Sequence, residues 1–183
     1  VNNVSFDLHK GEVLGIAGML GSGRTELLRA IFGIDKYDEG EIILDGKVIE
    51  RPTPQKMKEK GMGLTPEDRK HEGLIQIASI KDNLCVASLK RMSKGLFIDE
   101  EKEEELVWDQ INRLQIKIGD VNDQVSSLSG GNQQKIVVGN WLNNKPRLMM
   151  FDEPSRGIDV NAKQQIFKIM WELSRQGISS IVV

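Results

Sequence analysis

The chain has 183 residues, a formal net charge of −2 and a sequence pI of about 5.8. This length suffices for one domain with its own core, and the dispersed Lys and Arg argue against a dedicated nucleic-acid binder. The single cysteine, Cys85, excludes an internal disulfide and fits a reducing compartment. No apolar run approaches the roughly 18–20 residues of a membrane span. Because Val1 is not an initiator methionine and residues 181–183 resemble a buried strand, we expect an excerpt of a longer polypeptide.

In the first third of the chain, short apolar segments alternate with segments of helical spacing. Asp45-Gly46 between two apolar runs is a strong signal for a two-residue hairpin. Thr53 and Pro54 suit the N-cap and the first position of a helix. The predicted strands are residues 4–8, 12–17, 41–44, 47–49 and 63–65, and the predicted helices are residues 25–32 and 54–60.

The middle of the chain is predicted to be mostly helical. Acids at 99–101 favour a helix N-terminus, and we expect the Glu-rich residues 100–105 to be the solvated face of that helix. A strand, a helix and a second strand follow, and this alternation predicts a mainly parallel α/β sheet. Their predicted ranges are 147–151, 160–175 and 178–183.

A glycine-rich segment between a predicted strand and a predicted helix reads Gly-Met-Leu-Gly-Ser-Gly-Arg-Thr at 18–25. In that context, backbone N–H groups and the helix N-terminus can hold phosphates, and Thr25 can ligate Mg²⁺. The strict phosphate-loop pattern has lysine where this chain has Arg24, and a planar guanidinium holds phosphate with a different geometry. The alternative is a glycine turn that serves only close packing of the strand on the helix.

Two acids, Asp152 and Glu153, follow the apolar run 148–151. Ligands of α/β proteins bind at the carboxyl ends of strands, so Asp152 is a candidate Mg²⁺ ligand. Glu153 is a candidate to orient or deprotonate an attacking water. The alternative for this pair is the N-cap of a helix. Asp159 is a candidate cap of the next helix or, in a sandwich of two domains, a contact to the partner.

The octet Leu-Ser-Gly-Gly-Asn-Gln-Gln-Lys at 128–135 opens a segment of helical spacing. Its two glycines leave backbone amides bare and Ser129 adds a hydroxyl, so the octet is a candidate anion site.

These segments together resemble the nucleotide-binding domain of the ABC transporters over essentially the whole chain, with the octet as the signature motif. More narrowly, the chain is similar to the C-terminal ATPase half of the duplicated ATP-binding subunits of bacterial monosaccharide importers, the ribose/galactose type. The segments that carry the narrower resemblance are Gly-Arg-Thr-Glu at 23–26, Pro-Glu-Asp-Arg-Lys at 66–70, the octet, and Asp-Glu-Pro-Ser-Arg-Gly-Ile-Asp-Val at 152–160.

The resemblance implies an α/β fold with a P-loop NTPase core of the ABC ATPase type. It also implies an antiparallel β-subdomain, near residues 1–10 and 40–50, and a helical subdomain. We expect one domain over residues 1–183. Its core and β-subdomain are assigned to residues 1–69 and 146–183, and its helical subdomain with the signature to residues 70–145.

The resemblance also implies ATP and Mg²⁺ as cofactors, with Thr25 and Asp152 on the metal and Glu153 as the catalytic residue. In the family, the signature of one half contacts the nucleotide that is bound by the other half. The implied nucleotide contacts are Gly18, Gly21, Ser22, Gly23, Arg24, Thr25, Glu26, Glu67, Ser129, Gly130, Gly131, Gln133 and Asp159.

Protein partners follow from the same resemblance. They are a second ABC ATPase half, transmembrane permease subunits and, indirectly, a periplasmic or extracellular sugar-binding protein, with no nucleic acid. The implied location is peripheral, on the cytoplasmic face of a bacterial cell membrane.

Two residues depart from the family's pattern within one site. Arg24 replaces lysine, and Glu67 stands where the family has a glutamine that senses the γ-phosphate. A carboxylate there repels phosphate unless a cation intervenes. We therefore expect the signature to serve the partner half's ATP site, and this chain's own site to turn ATP over slowly or not at all. The alternatives are a non-catalytic nucleotide-binding half and a soluble ABC ATPase of a nucleic-acid machine.

Overall fold

A four-stranded parallel sheet lies at the centre of the computed structural model, which describes residues 3–19, 21–95 and 97–183. Leu20 of the predicted phosphate loop and residues 1–2 of the predicted β-subdomain therefore lie outside the described residues. The strands are β1 (Val13–Gly15), β2 (Ile43–Leu44), β3 (Lys47–Val48), β4 (Met62–Thr65), β5 (Ser93–Lys94), β6 (Phe97–Ile98), β7 (Leu148–Phe151) and β8 (Ser179–Val182).

The central sheet has the order β1-β8-β7-β4, and all of its neighbouring strands run parallel. Strands β2 and β3 form one antiparallel hairpin, and β5 and β6 form another. The helices are α1 (Arg24–Phe32), α2 (Pro54–Glu59), α3 (Ile80–Cys85), α4 (Leu89–Met92), α5 (Glu100–Arg113), α6 (Gly130–Leu142) and α7 (Val160–Arg175). A π-helical turn covers Arg69–Gly73, and 3₁₀ turns cover Val86–Ser88 and Val125–Ser127.

Strand β7 separates the core into two apolar clusters. Its side chains alternate between the faces of the sheet, as the period of two requires. Met149 and Phe151 pack with α3, α5, α6 and α7, whereas Leu148 and Met150 pack with α1, α2 and β4. Every residue of β4 and β7 is buried, as expected for parallel strands that are covered on both faces.

Local sequence signals account for several element ends. Asp45 and Gly46 both have positive φ, 50° and 72°, as the predicted two-residue hairpin turn requires. Helix α1 ends where Gly33 adopts φ 81°, and Thr53 caps α2 by accepting from the N–H of Lys56. Helix α3 begins with a reciprocal capping box between Ser79 and Asp82.

The predicted strand at 4–8 is wrong. That segment forms no strand within the described residues, and Val4 and Phe6 remain 49% and 39% exposed. Alternation alone predicted it, but only Leu8 packs against the core, and no strand pairs with the segment in the described part of the chain. The predicted antiparallel β-subdomain therefore consists of the β2–β3 hairpin in the described part of the chain.

One glutamate of the 100–105 run departs from the prediction that this run is the solvated face of α5. Glu103 is only 9% exposed and pairs with Lys81 at 3.1 Å, while the other glutamates of the 100–105 run are not buried. The ion pair satisfies this carboxylate and joins α5 to α3.

The carboxyl ends of the parallel strands place the candidate site. Because β1, β4 and β7 run in the same direction, the segments that follow them leave the sheet at the same edge. These segments are the glycine-rich loop, residues 66–69 and the acid pair. None of the helices in the described ranges has the length and apolar content that a membrane crossing requires.

Candidate functional site

The glycine-rich loop after β1 forms a tight turn that ends at the start of α1. A Cβ on Gly18 would lie 2.5 Å from the Oγ of Ser22, so a side chain at this position would displace that hydroxyl. The N–H of Ser22 donates to the carbonyl of Met19 at 3.1 Å and closes the turn. Gly23, the N-cap residue of α1, has φ 86° and has no side chain that could bond to the first amides of the helix. The loop therefore presents N–H groups and the positive helix end to an anion.

Thr25 and Asp152 meet at the base of this loop. The Thr25 Oγ1 donates to the Asp152 Oδ1 at 3.0 Å, and Asp152 is buried, with 2% of its surface exposed. Burial raises the pKa of Asp152 to about 6; the Thr25 hydrogen bond opposes this shift, and the charges of Glu67 and Glu153 add to it. The site therefore holds an excess of negative charge that a cation would relieve.

This donor set fits Mg²⁺. One hydroxyl and one buried carboxylate lie together, and Mg²⁺ on nucleotides commonly takes one or two protein ligands while phosphates and waters complete its shell. Thr25 and Asp152 would hold the ion, and the ion would supply positive charge to the phosphates.

Arg24 and Glu153 form an ion pair across the same loop. The Arg24 Nη2 lies 3.1 Å from the Glu153 Oε1, with side chains 20% and 37% exposed. Glu153 has φ 42°, a left-handed backbone that is uncommon for glutamate. While the pair holds, the guanidinium is directed at a carboxylate rather than at phosphate, and the carboxylate oxygen is directed at a cation rather than at water.

Glu67 does not face the phosphate loop alone. The Arg156 Nη1 bonds to the Glu67 Oε1, and these side chains are 61% and 35% exposed. The cation that a carboxylate at this position needs is therefore supplied by the loop after the acid pair. The sequence indicated that the Glu67 carboxylate would repel phosphate, but it did not indicate that Arg156 is the cation beside it.

The signature octet opens α6 as predicted, with Ser129 at the N-cap. The Ser129 Oγ accepts from the N–H of Asn132 at 3.5 Å and from its Nδ2 at 3.2 Å. A Cβ on Gly131 would lie 2.5 Å from the Cβ of Ala162, so glycine is needed where the first turns of α6 and α7 cross. Asp159 caps α7 by accepting from the N–H of Ala162 at 2.9 Å. Two helix N-termini therefore lie side by side.

A polar groove of about 530 Å³ lies along these two N-termini. Ser129, Gly131, Asn132 and Asp159 line one part of it. The remaining charge of the lining is basic and comes from Lys117, Lys135 and Lys168. The groove is suited to an anionic ligand, because three ammonium groups and two helix N-termini outweigh the negative charge of one carboxylate.

Lys135 is the buried member of the basic set. It is 4% exposed, and its Nζ donates to the carbonyl of Gln115 at 2.9 Å. Burial and, secondly, the charge of Lys117 lower the pKa of Lys135. Lys117, Lys135, Lys168 and Asn132 were not predicted as site residues. Asn132 and Lys135 belong to the octet and could have been found by that position, whereas nothing in the sequence singled out Lys117 or Lys168.

The predicted site residues fall into two groups. The glycine-rich loop, Thr25, Asp152, Glu153 and Glu67 lie at the carboxyl edge of the sheet, whereas Ser129, Gly131 and Asp159 lie around the groove. Glu26 is exposed in the first turn of α1. Gln133, a predicted nucleotide contact, is turned inward: it is 4% exposed and its Nε2 donates to the carbonyl of Val125. Asn132 is the amide that lines the groove.

Comparison with curated proteins finds close relatives along the whole chain. It is 44% identical over 181 residues to the ribose import ATP-binding protein RbsA of Geobacillus kaustophilus, covering 99% of this chain and 37% of that protein. It is 43% identical over 182 residues to the putative ribose/galactose/methyl galactoside import ATP-binding protein 1 of Rhizobium etli, covering 100% of this chain and 35% of that protein. The chain thus spans little more than a third of the length of these relatives.

Solved structures and a family model agree with these relatives. A nucleotide-free ATP-binding cassette from an ABC transporter superposes with a TM-score of 0.82 at 25% identity, covering 98% of this chain and 72% of that one. A structure of an ATP-binding cassette of an ABC transporter in its ADP conformation gives a TM-score of 0.79 at 25% identity, covering 98% of this chain and 72% of that one. The predicted α/β fold of the ABC ATPase type is thereby confirmed. Since the model of the ABC transporter family matches residues 1–156, the chain belongs to the ABC transporter family.

Proposed function

We propose that the chain is the C-terminal ATP-binding half of a duplicated importer subunit that couples ATP binding and hydrolysis to monosaccharide uptake in a bacterium. Relatives named for ribose and galactose import support the substrate class. Coverage of 37% of those proteins leaves room for a second ATPase half in the same polypeptide. The partners would be that half, transmembrane permease subunits and, through them, a sugar-binding protein. The subunit would be peripheral to the cytoplasmic face of the membrane.

In the proposed domain organisation, residues 1–69 and 146–183 form the core with the β-hairpin, and residues 70–145 form the helical subdomain. The position of α3 to α6 within the second range supports this division. The short β5–β6 hairpin in that range was not predicted. A soluble ATPase of a nucleic-acid machine is disfavoured because Glu67 and Ser129 are only 62 positions apart in the sequence, which leaves no space for a long coiled-coil insertion.

In the proposed mechanism, the two groups of site residues act on two different nucleotides. The loop amides of Gly18, Gly21, Ser22 and Gly23, with Thr25, Asp152 and Glu67, would bind Mg–ATP in this half. Ser129, Gly130, Gly131 and Asp159 would contact ATP that the partner half binds. The basic groove beside Ser129 supports an anionic ligand there.

The Arg24–Glu153 ion pair is the observation that carries the proposed asymmetry. A general base must reach the attacking water, and a phosphate-loop cation must reach the β- and γ-phosphates. The pair directs these two groups at each other instead. It therefore supports nucleotide binding with slow or no hydrolysis in this half, and hydrolysis mainly at the partner's site. The same observation also supports the second candidate, a half that binds nucleotide without any hydrolysis.

We predict that Glu153→Gln leaves most of the ATPase turnover of the complete transporter, because the main hydrolytic site uses residues of the partner half. The measurement is steady-state phosphate release at saturating ATP, with the sugar-loaded binding protein present. Glu59→Gln is the matched control, since Glu59 pairs with the exposed Lys90 at 3.1 Å and neither residue lines the groove or the acid-pair site. Turnover in Glu153→Gln as low as in a transporter with a disabled partner site contradicts the asymmetry.

A further inference from the structure

Arg69 is a buried arginine that the nucleotide contacts described so far do not include. It is the first residue of the π-helical turn, which Asp68 caps by accepting from the N–H groups of Lys70 and His71. It is 8% exposed, and its side chain reaches the loop that joins the acid pair to α7. There Nη1 donates to the carbonyl of Arg156 at 2.7 Å and Nη2 donates to the carbonyl of Gly157 at 3.0 Å.

The same guanidinium also contacts the first residue of the signature helix. A Cβ on Gly130 would lie 2.7 Å from the Arg69 Nη2 and 3.0 Å from the carbonyl oxygen of Gly157. The bare Cα of Gly130 is thus packed against the guanidinium and the carbonyl to which it donates. One side chain therefore contacts three segments: its own turn after β4, the loop 152–159 and the start of α6.

Stability alone does not account for a buried guanidinium at position 69. Burial lowers the pKa of Arg69, and Nε has no hydrogen-bond partner among the described residues. A buried charge with incomplete hydrogen bonding is unfavourable compared with an apolar side chain of similar size. The two bonds to successive carbonyls instead fix the geometry of a loop, because the guanidinium is a planar fork of fixed shape.

We propose that Arg69 is a positioning residue that couples the nucleotide site of this half to its signature surface. The loop that it holds begins at Asp152 and Glu153, beside the phosphate loop, and ends at Asp159, which caps α7 at the groove. In this proposal, a displacement of the acid pair on nucleotide binding would reach Gly130 through the loop segment that Arg69 holds. Glu67 reinforces the tie through Arg156. This inference rests on the proposed function, since it requires the signature to act on the partner's ATP.

The test uses the complete transporter with Arg69→Lys. An ammonium keeps the charge but lacks the rigid fork that bridges two carbonyls. We expect kcat for ATP to fall by about tenfold, within the usual range of coupling between sites, with KM for ATP and Tm unchanged. Arg69→Gln, which removes the charge and keeps one donor, should behave in the same way if the lysine variant does not fold. Arg147→Lys is the matched control, because Arg147 also donates to a carbonyl, that of Lys60, away from the site.

A double variant separates coupling from a structural role. Asp152→Asn and Arg69→Lys interrupt the same link, so the double variant should lose about tenfold in kcat, as each single variant does, rather than about a hundredfold. Three results would overturn the proposal. They are a loss of about a hundredfold in kcat in the double variant, a rise in KM for ATP in Arg69→Lys as large as its fall in kcat, and unchanged turnover in both Arg69→Lys and Arg69→Gln. If Ser129→Arg leaves turnover intact in the same assay, the proposed function fails instead, which distinguishes the two.

Discussion

Ser129→Arg should lower the ATPase turnover of the complete transporter by roughly 10²–10³-fold, the effect of removing a donor that stabilises transition-state charge. Ser129 is exposed at the N-cap of α6, where its hydroxyl and the adjacent amides face the basic groove. Arginine removes the hydroxyl and places a long side chain over the surface that would receive the partner's ATP. Binding of ATP to this half's own loop should persist, since Thr25 and Asp152 are untouched.

Two further variants show whether the loss comes from the signature surface. Ser126→Arg introduces the same side chain on the exposed 3₁₀ turn before the octet and should leave turnover near the wild-type value. Ser129→Ala removes only the hydroxyl and the cap, which costs about 1 kcal/mol of stability, and should lower turnover by less than the arginine variant does. Equal turnover in Ser129→Arg and Ser126→Arg contradicts a role of the signature in hydrolysis.

Asp152→Asn should stabilise the nucleotide-free protein while it weakens Mg–ATP binding to this half. The folded-state pKa of Asp152 is raised from 3.8 to about 6, chiefly by burial, so the ionised form is unfavourable in the fold by about 3 kcal/mol. Asparagine removes that charge and keeps an oxygen that can accept from Thr25. At pH 8, without Mg²⁺ or nucleotide, the free energy of unfolding should rise by up to about 3 kcal/mol, or roughly 6–12 °C in Tm.

The sign of the pH dependence follows from the raised pKa. Between pH 4 and 6 the folded protein holds more protons at Asp152 than the unfolded chain does. The free energy of unfolding of the wild type therefore carries no penalty from Asp152 below pH 4, and it falls as pH rises through 6 and the buried carboxyl ionises. The difference between variant and wild type should therefore grow from near zero at pH 4 to its maximum at pH 8. Urea unfolding at both pH values measures it.

Asp35→Asn is the control with the opposite sign. The hydrogen bond from Arg29 holds the pKa of Asp35 below its ordinary value, so its carboxylate favours the fold once ionised. Asp35→Asn should therefore weaken the fold at pH 8 relative to acidic pH. If Asp152→Asn also loses stability at pH 8, the ionised Asp152 carboxylate is not unfavourable in the metal-free fold, which contradicts the prediction.

Features set by local backbone chemistry could be predicted from the sequence. The hairpin at Asp45-Gly46 requires positive φ at both residues, and Thr53 and Asp159 carry side chains that cap helices over a few residues. The proximity of Thr25 and Asp152 was also predictable, because Thr25 follows a glycine-rich loop and Asp152 follows a buried strand, and parallel strands bring both ends to one edge.

Features that depend on contacts between distant segments could not be predicted in this way. Arg24 and Glu153 are 129 residues apart, and Arg69 lies 87 residues from the carbonyl of Arg156 to which it donates. Composition and spacing say nothing about such pairs. The inward orientation of Gln133 was missed for a related reason: α6 is buried on nearly all sides, so amphipathic spacing did not indicate which amide faces the groove.

In the proposed mechanism, the signature of this half acts on ATP held by the partner half. Vanadate traps hydrolysed nucleotide in a transition-state geometry, and ultraviolet light then cleaves the backbone beside the bound vanadate. In the complete transporter, trapping should cleave this half at Ser129 and leave its own loop at 18–25 largely intact. Cleavage at the loop of this half without cleavage at Ser129 would contradict it.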